Sequence, residues 1–438
     1  MNAQQQWKNQ VLGYAEAINA FVERGLRDGW DNVGEEPQMA PTKHLLAPLR
    51  QALQAINAPG TNAAEREAFR ADWPPAHLPL IPLLDAEGTQ ICALALLDDG
   101  CLLARIGAPY QEGHVVRIDG DRLEHIVGVD FFGRCPARRY FALANTQGVR
   151  VVDGWGGPEV LRLAWPTGLE DLPEGVSGRA LDSPPAPTQL IPFPDGRRVL
   201  LVSGEGIFVL GETGARRLLP SREQMEEALA NGDWEADDMP WGLSMEHAAI
   251  SPDGRWIALG CQDGRHLVLD ADLQPQAQIG PVGEYPHFAL FSRDGSRVIF
   301  NACHFYNGAT LGVAVADLPG LDTDYYADDP RTPTLQEGAR VYAGVHRDGE
   351  FIVGDAHGYL RAFDERGEER WQHFIGSTVG AMDISADGKT LVAATCAGFL
   401  SVIELDAGRK APWQIGTGEH LERHRWLFWQ SLPQPLLW

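Results

Sequence analysis

From about residue 90 onward the chain alternates short apolar runs with Asp-Gly pairs. The pairs are Asp99-Gly100, Asp195-Gly196, Asp253-Gly254, Asp294-Gly295, Asp348-Gly349 and Asp387-Gly388. After four of them a second glycine follows, at Gly206, Gly264, Gly358 and Gly398, and another apolar run closes on an acid, as in Leu267-Val268-Leu269-Asp270. Asp-Gly supplies the positive φ that tight hairpins need, and the β-branched and aromatic residues between suit pleated strands. Each unit therefore reads as strand, Asp-Gly turn, strand, glycine turn, strand and a weaker fourth strand. One unit, Val129 to Pro166, replaces Asp-Gly with Cys135-Pro136-Ala137-Arg138 but keeps Gly148 and Val149–Asp153. A four-stranded unit repeating at roughly 40 residues is a propeller blade. Units begin near residues 89, 129, 188, 246, 286, 339 and 378. The pattern thus predicts a mainly β chain, a seven-bladed β-propeller with an N-terminal α-helical extension.

Ser251-Pro252-Asp253-Gly254, Ser292-Arg293-Asp294-Gly295 and Ser385-Ala386-Asp387-Gly388 each lead into an apolar strand. On these residues the chain resembles the WD-repeat and related seven-bladed propellers, over roughly 79–416. It departs from them where a Trp-Asp pair should end the third strand. Leu269-Asp270, Phe363-Asp364 and Val152-Asp153 keep only the acid, and the Gly-His that opens a blade is missing.

Residues 1–75 follow a different period. Trp7, Val11, Tyr14, Ile18, Phe21 and Val22 line one helical face, Leu45, Leu49, Leu53 and Ile56 another, and Asn62-Ala63-Ala64-Glu65 resembles a capping box for a third helix. The domain reading is a helical extension over 1–75, the propeller over 76–416, and an apolar tail over 417–438 that docks on the ring or the helices. The strand that closes the ring is expected from Leu80–Leu84, with Trp413-Gln414-Ile415 as the alternative. Three insertions interrupt the blades. Residues 167–187 form a Pro-, Gly- and Ser-rich loop; 221–245 open with a helix after Ser221; 319–338 are acidic and aromatic.

Composition narrows the function. Of 438 residues, 60 are acidic and 36 basic, a formal charge of −24, and no basic stripe interrupts the excess. Such a field repels a phosphate backbone and an anionic membrane, so nucleic acid and membrane are poor partner candidates. A protein with a basic surface is steered toward it. The six cysteines include no Cys-x-x-Cys pair, and there is neither a signal-like N-terminus nor a long apolar run. The expected location is cytoplasmic.

Catalytic motifs are scarce: no Gly-x-Ser-x-Gly elbow, no phosphate-binding glycine loop before Lys-Ser/Thr, no His-Glu-x-x-His. His420 and His424 have helical i, i+4 spacing but read as an exposed polar turn rather than ligands. Asp322, Asp324, Asp328 and Asp329 lack the glycine and distal Glu of a calcium loop. His247 and His287 are placed near innermost strands, which keeps open a lactonase-like hydrolase with a metal in the axial channel. The better signal is acidic and aromatic: Trp234, Glu235, Asp237, Asp238 and Trp241 in one insertion, and Asp322, Asp324, Tyr325 and Tyr326 in another. Trp and Tyr favour interface hot spots, and flanking carboxylates suit a basic partner. The second insertion, falling within a blade, is expected to open on the face opposite the first. The resulting expectation is a non-catalytic protein-binding propeller without cofactor or metal. It would occlude a basic partner, as an immunity protein neutralises a cognate toxin; a general interaction scaffold is the alternative.

Overall fold

A computed structural model describes residues 1–432 and 434–438 and contains seven sheets in a ring, each with four antiparallel strands. Their first strands are Ile91–Leu96, Phe131–Arg134, Pro187–Pro192, His247–Ile250, Tyr285–Phe291, Val341–Arg347 and Val379–Ile384. Consecutive first strands touch one another, so these line the axis and each sheet runs outward as a blade. All six Asp-Gly pairs join a first strand to a second. In an antiparallel blade that places them on one face, here called lower, together with the turns between third and fourth strands. The second-to-third turns and the blade-to-blade connections share the upper face.

Three of the Asp-Gly turns are built alike. In blade four the Ser251 hydroxyl donates to Asp253 at 2.6 Å and accepts the Trp256 amide at 3.0 Å, while Asp253 accepts the Arg255 amide at 3.1 Å. Ser292-Asp294 and Ser385-Asp387 repeat the arrangement at 2.6 and 2.5 Å. Gly254, Gly295 and Gly388 take φ of 73°, 71° and 71°, a region open to glycine at little cost. The lone acids that end third strands also have a local task. Asp270 accepts the amides of Asp272 and Gln274, and Asp364 those of Arg366 and Glu368, so each carboxylate organises the turn into the fourth strand.

The closing strand differs from both expectations. Blade seven takes its fourth strand from Leu421–Leu427 and a fifth from Leu436–Leu437, whereas blade one is completed by its own four strands. Among the described residues no strand is exchanged across the seam. Leu78–Leu80 forms a 3₁₀ turn and Ile81–Glu87 a helix instead, because Pro79 and Pro82 fit first-turn positions and Leu80 and Leu84 point into one core at helical spacing. Ile415–Gly416 is indeed extended, but it pairs with the outer strand of blade six. The His420–His424 segment is likewise not a polar turn. It enters the closing strand, with His420 buried and His424 exposed, so the two rings do not converge.

Two devices hold the seam. At the lower mouth of the axis, Asp383 of blade seven accepts the Leu96 amide of blade one at 2.6 Å and the Arg134 guanidinium of blade two at 2.6 and 2.7 Å. Arg138 donates to the carbonyls of Leu96 and Ile384 at 2.8 and 2.6 Å. Outside the ring, α1 (Ala3–Asp28), α2 (Leu46–Ile56) and α3 (Ala63–Asp72), followed by α4 (Ile81–Glu87), clasp the chain's end. Trp7 lies 6.3 Å from Trp73 and 6.2 Å from Trp438, ring centre to ring centre. Its indole donates to the Pro74 carbonyl, and that of Trp438 to Trp73, at 2.9 and 2.7 Å. Asn57 bonds both backbone groups of Leu437, and Asn19 bonds Gln414 and Gly416. Where the two ends meet, Gly398 (φ 81°) leaves no room for a Cβ, which would lie 2.5 Å from the Phe428 carbonyl oxygen.

Two outcomes follow for stability. Asp383→Ala strands two guanidiniums and an amide in a buried place and should cost about 3 kcal/mol in urea unfolding, against about 1 kcal/mol for Asp387→Ala in an exposed turn. The Ser292 hydroxyl and Ser296 amide push the Asp294 carboxyl down to about 2, below the roughly 3.9 of an unfolded chain. Its contribution is therefore present above pH ~4 and lost as pH falls through ~2. Asp294→Asn should flatten the stability-versus-pH curve in that window.

Candidate functional site

The upper face collects the insertions. Ser221 caps α5 (Arg222–Asn231) reciprocally: its hydroxyl accepts the Gln224 amide at 3.1 Å and its own amide donates to the Gln224 side chain at 2.8 Å. Met225 and Met239 are buried and pin the segment at both ends. Between them Trp234 and Trp241 stack, centroids 5.6 Å apart and planes 12° from parallel, with Trp234 41% exposed. The loop at 167–187 braces this segment, the Arg179 amide donating to Met239 and the Ser177 hydroxyl to Asp237, at 3.2 and 3.1 Å.

The second insertion does not open on the opposite face. It leaves blade five on the lower side, then climbs the outer edge of blade four as a fifth, parallel strand, Ala277 opposite Leu321 and Gln278 opposite Asp322. At the top, Thr323 accepts the Gly280 amide and the Tyr326 amide donates to Pro281. Gly280 has to be glycine, since a Cβ would lie 1.9 Å from the Asp324 carbonyl oxygen. The Tyr325 hydroxyl donates to the carbonyl of Gly264, in blade four's second-to-third turn. Gln224 of α5 lies close to the same Gly264. Both insertions thus reach one face and bracket one turn.

The acids are not equivalent. Asp322 is paired with Arg265 and Asp329 with Arg331, while Asp237 takes a bond from Ser177. Glu235, Asp238 and Asp324 are exposed and have no ion-pair partner among the described residues. Tyr325 and Tyr326 are 45% and 62% exposed.

Sequence reasoning passed over three further aromatics on this face. Phe305 and Tyr306, 74% and 62% exposed, form blade five's second-to-third turn. Their signal was available: they stand directly before Asn307-Gly308, a turn pair, where a core residue would not be placed. Tyr110 of blade one, 55% exposed, leans over to donate its hydroxyl to Glu246 at the start of blade four. Arg105, itself buried, holds that loop by donating to the carbonyls of Gly107, Ala108 and Gln111 at 2.9, 3.1 and 2.7 Å. Burial raises the Glu246 carboxyl, and burial together with Glu246 raises the Tyr110 phenol.

His247 and His287 do lie on innermost strands. His247 donates from Nδ1 to the Met245 carbonyl at 2.9 Å, so its Nε2 accepts from His266 at 3.2 Å, and burial pushes it down to about 4. His287 meets Tyr342 edge-on at 4.6 Å, with neither ring nitrogen bonded. Among the described residues no three His, Cys, Asp or Glu side chains gather as ion donors. Among the described residues no helix is long and apolar enough to cross a membrane.

No protein-family model matches the chain, and no curated protein matches it either. Among solved structures it is similar to the Cps50 (Swd1) β-propeller domain of Myceliophteria thermophila, at 12% identity and TM-score 0.46, covering 69% of this chain and 92% of that one. It is similar also to KlHsv2 with loop 6CD replaced by a Gly-Ser linker (9%, TM-score 0.40, covering 76% and 97%). A third is the hydrazine synthase of Kuenenia stuttgartiensis (13%, TM-score 0.44, covering 73% and 96%). The propeller assignment rests on the sheet order itself.

Arg105→Leu removes the anchor of the Tyr110 loop while keeping an apolar stem. Amide exchange across Gly107–Gly113 should accelerate about tenfold or more, with the strand Leu102–Ile106 still protected, as read by hydrogen-exchange mass spectrometry.

Proposed function

We propose that the chain is a non-catalytic, cytoplasmic protein-binding propeller whose upper face grips a basic partner protein. One observation carries the reading. Exposed aromatics from blades one and five and from both insertions stand on the same face as Glu235, Asp238 and Asp324, carboxylates with no counter-ion. Large rigid aromatics contribute contact area at low entropic cost, and unneutralised acids around them select cationic surface. The net charge of −24 adds long-range steering and weighs against nucleic acid or anionic membrane as the partner. The sequence has no Gly-x-Ser-x-Gly, no phosphate-binding glycine loop and no His-Glu-x-x-His, which favours occlusion over chemistry. An immunity protein that neutralises a cognate toxin is the narrower form of this reading.

Affinity capture on the immobilised chain, from extracts of the cells that encode it, should retain a stoichiometric protein with a basic surface. If that protein is an enzyme whose activity disappears on binding, the inhibitor form stands; several unrelated partners would replace it with a scaffold. For the captured partner, Trp234→Ala with Trp241→Ala should weaken binding about 30-fold or more while the melting temperature of the free chain stays unchanged. Association should also slow as salt rises. A melting temperature that collapses while affinity holds would move both indoles into the core and end this reading.

A further inference from the structure

A cleft of about 990 Å³ opens between α1, α3 and the outermost strand of blade seven. Its size lies at the upper end of small-ligand pockets. Its lining inverts the charge of the chain. Lys8 comes from α1, Arg66 and Arg70 from α3, Arg409 and Lys410 from the loop after Phe399–Glu404, and Arg423 from the closing strand. Only three acids face them, Glu67, Asp121 and Glu422, in a chain with 60 acids to 36 bases.

Several of these cations are already matched: Lys8 with Asp72, Arg66 with Asp121, Arg423 with Glu404. The wall formed by Glu422 is different. This buried carboxylate serves two guanidiniums, Arg425 at 2.6 Å and Arg70 at 3.3 Å, whose side chains are 4% and 12% exposed. The two guanidiniums thus share one carboxylate out of water; Arg70 also donates to the Glu422 and Arg423 carbonyls, and Glu67 stands one turn before it on α3. The Trp413 ring lies 5.2 Å from the Arg70 guanidinium and 5.7 Å from that of Arg425, which softens the cost without cancelling the charge. At the rim, Arg409 has no carboxylate within ion-pair distance among the described residues, and the Lys410 ammonium donates to the Gly416 carbonyl with Glu23 and Glu419 nearby. The acids elsewhere are screened within about 8 Å at physiological salt, so local charge decides what enters.

We infer that this cleft binds a small polyanion, a molecule with two or more phosphate or carboxylate groups, held between Arg70 and the Arg409-Lys410 rim. The site is independent of the upper face. Because it spans the N-terminal helices and the last blade, its occupant also tightens the seam of the ring.

The test is calorimetric titration and thermal melting of the full chain with tripolyphosphate and, separately, with citrate, at ionic strength fixed by chloride. Saturable binding near one per chain is expected with at least one of them, together with a rise in melting temperature of a few degrees. The preferred anion separates a phosphate from a carboxylate occupant. Arg409→Ala with Lys410→Ala, both exposed, should weaken binding about tenfold and leave the anion-free melting temperature in place. No saturable binding of either anion, or equal binding by the double variant, overturns the assignment.

Discussion

A ring of sheets must be closed, and here no exchanged strand closes it. The first four strands of each blade come from its own stretch of chain, so a seam between first and last blades is left to side chains. Asp383 occupies the critical place, one carboxylate tying the inner strands of blades seven, one and two together. A charge so enclosed contributes only if every lone pair is used, and here an amide and two guanidiniums use them. The helices add an apolar counterpart: Trp7, Trp73 and Trp438 join the beginning of the chain to its end through one hydrophobic cluster. The N-terminal extension is therefore part of how the propeller stays shut.

The blades were legible because their punctuation is local. Asp-Gly, the following glycine and the acid at the end of a third strand each satisfy turns whose hydrogen bonds are made within a few residues. Both ends of Ser251-Pro252-Asp253-Gly254 are fixed by that segment's own atoms. The capping box at Asn62 was readable for the same reason. Closure was not. Leu80–Leu84 is as apolar as a strand, and Pro79 and Pro82 at first-turn positions, with burial of Leu80 and Leu84 in the cluster that holds Leu49 and Trp429, make its period helical. Leu421–Leu427, rich in charge, looks unlike a strand until Glu422 and Arg425 are seen to neutralise one another. Nothing near Asp322 announces that its segment will pair with a different blade, and that pairing carries Tyr325 to the upper face.

The two surfaces of interest have opposite electrostatic logic. On the upper face, carboxylates are exposed and unmatched, a hydrated condition that costs little and acts at a distance. In the cleft beside blade seven two desolvated guanidiniums share one carboxylate, a condition that acts only at contact. One suits recognition of a large charged surface and the other the capture of a small charged molecule. The sequence hinted at the first through clustering. The second was hidden, since its cations come from four separated stretches of chain.

The climbing segment at Leu321–Asp322 has a consequence for solubility. The outer rim of a propeller exposes unsatisfied backbone donors and acceptors, a template onto which foreign chains can polymerise. Blade four occupies part of its rim with a piece of its neighbour's insertion, and blades six and seven do so with Ile415–Gly416 and Leu436–Leu437. At those three positions strand addition by a visitor is pre-empted, so aggregation and fibre growth are resisted there.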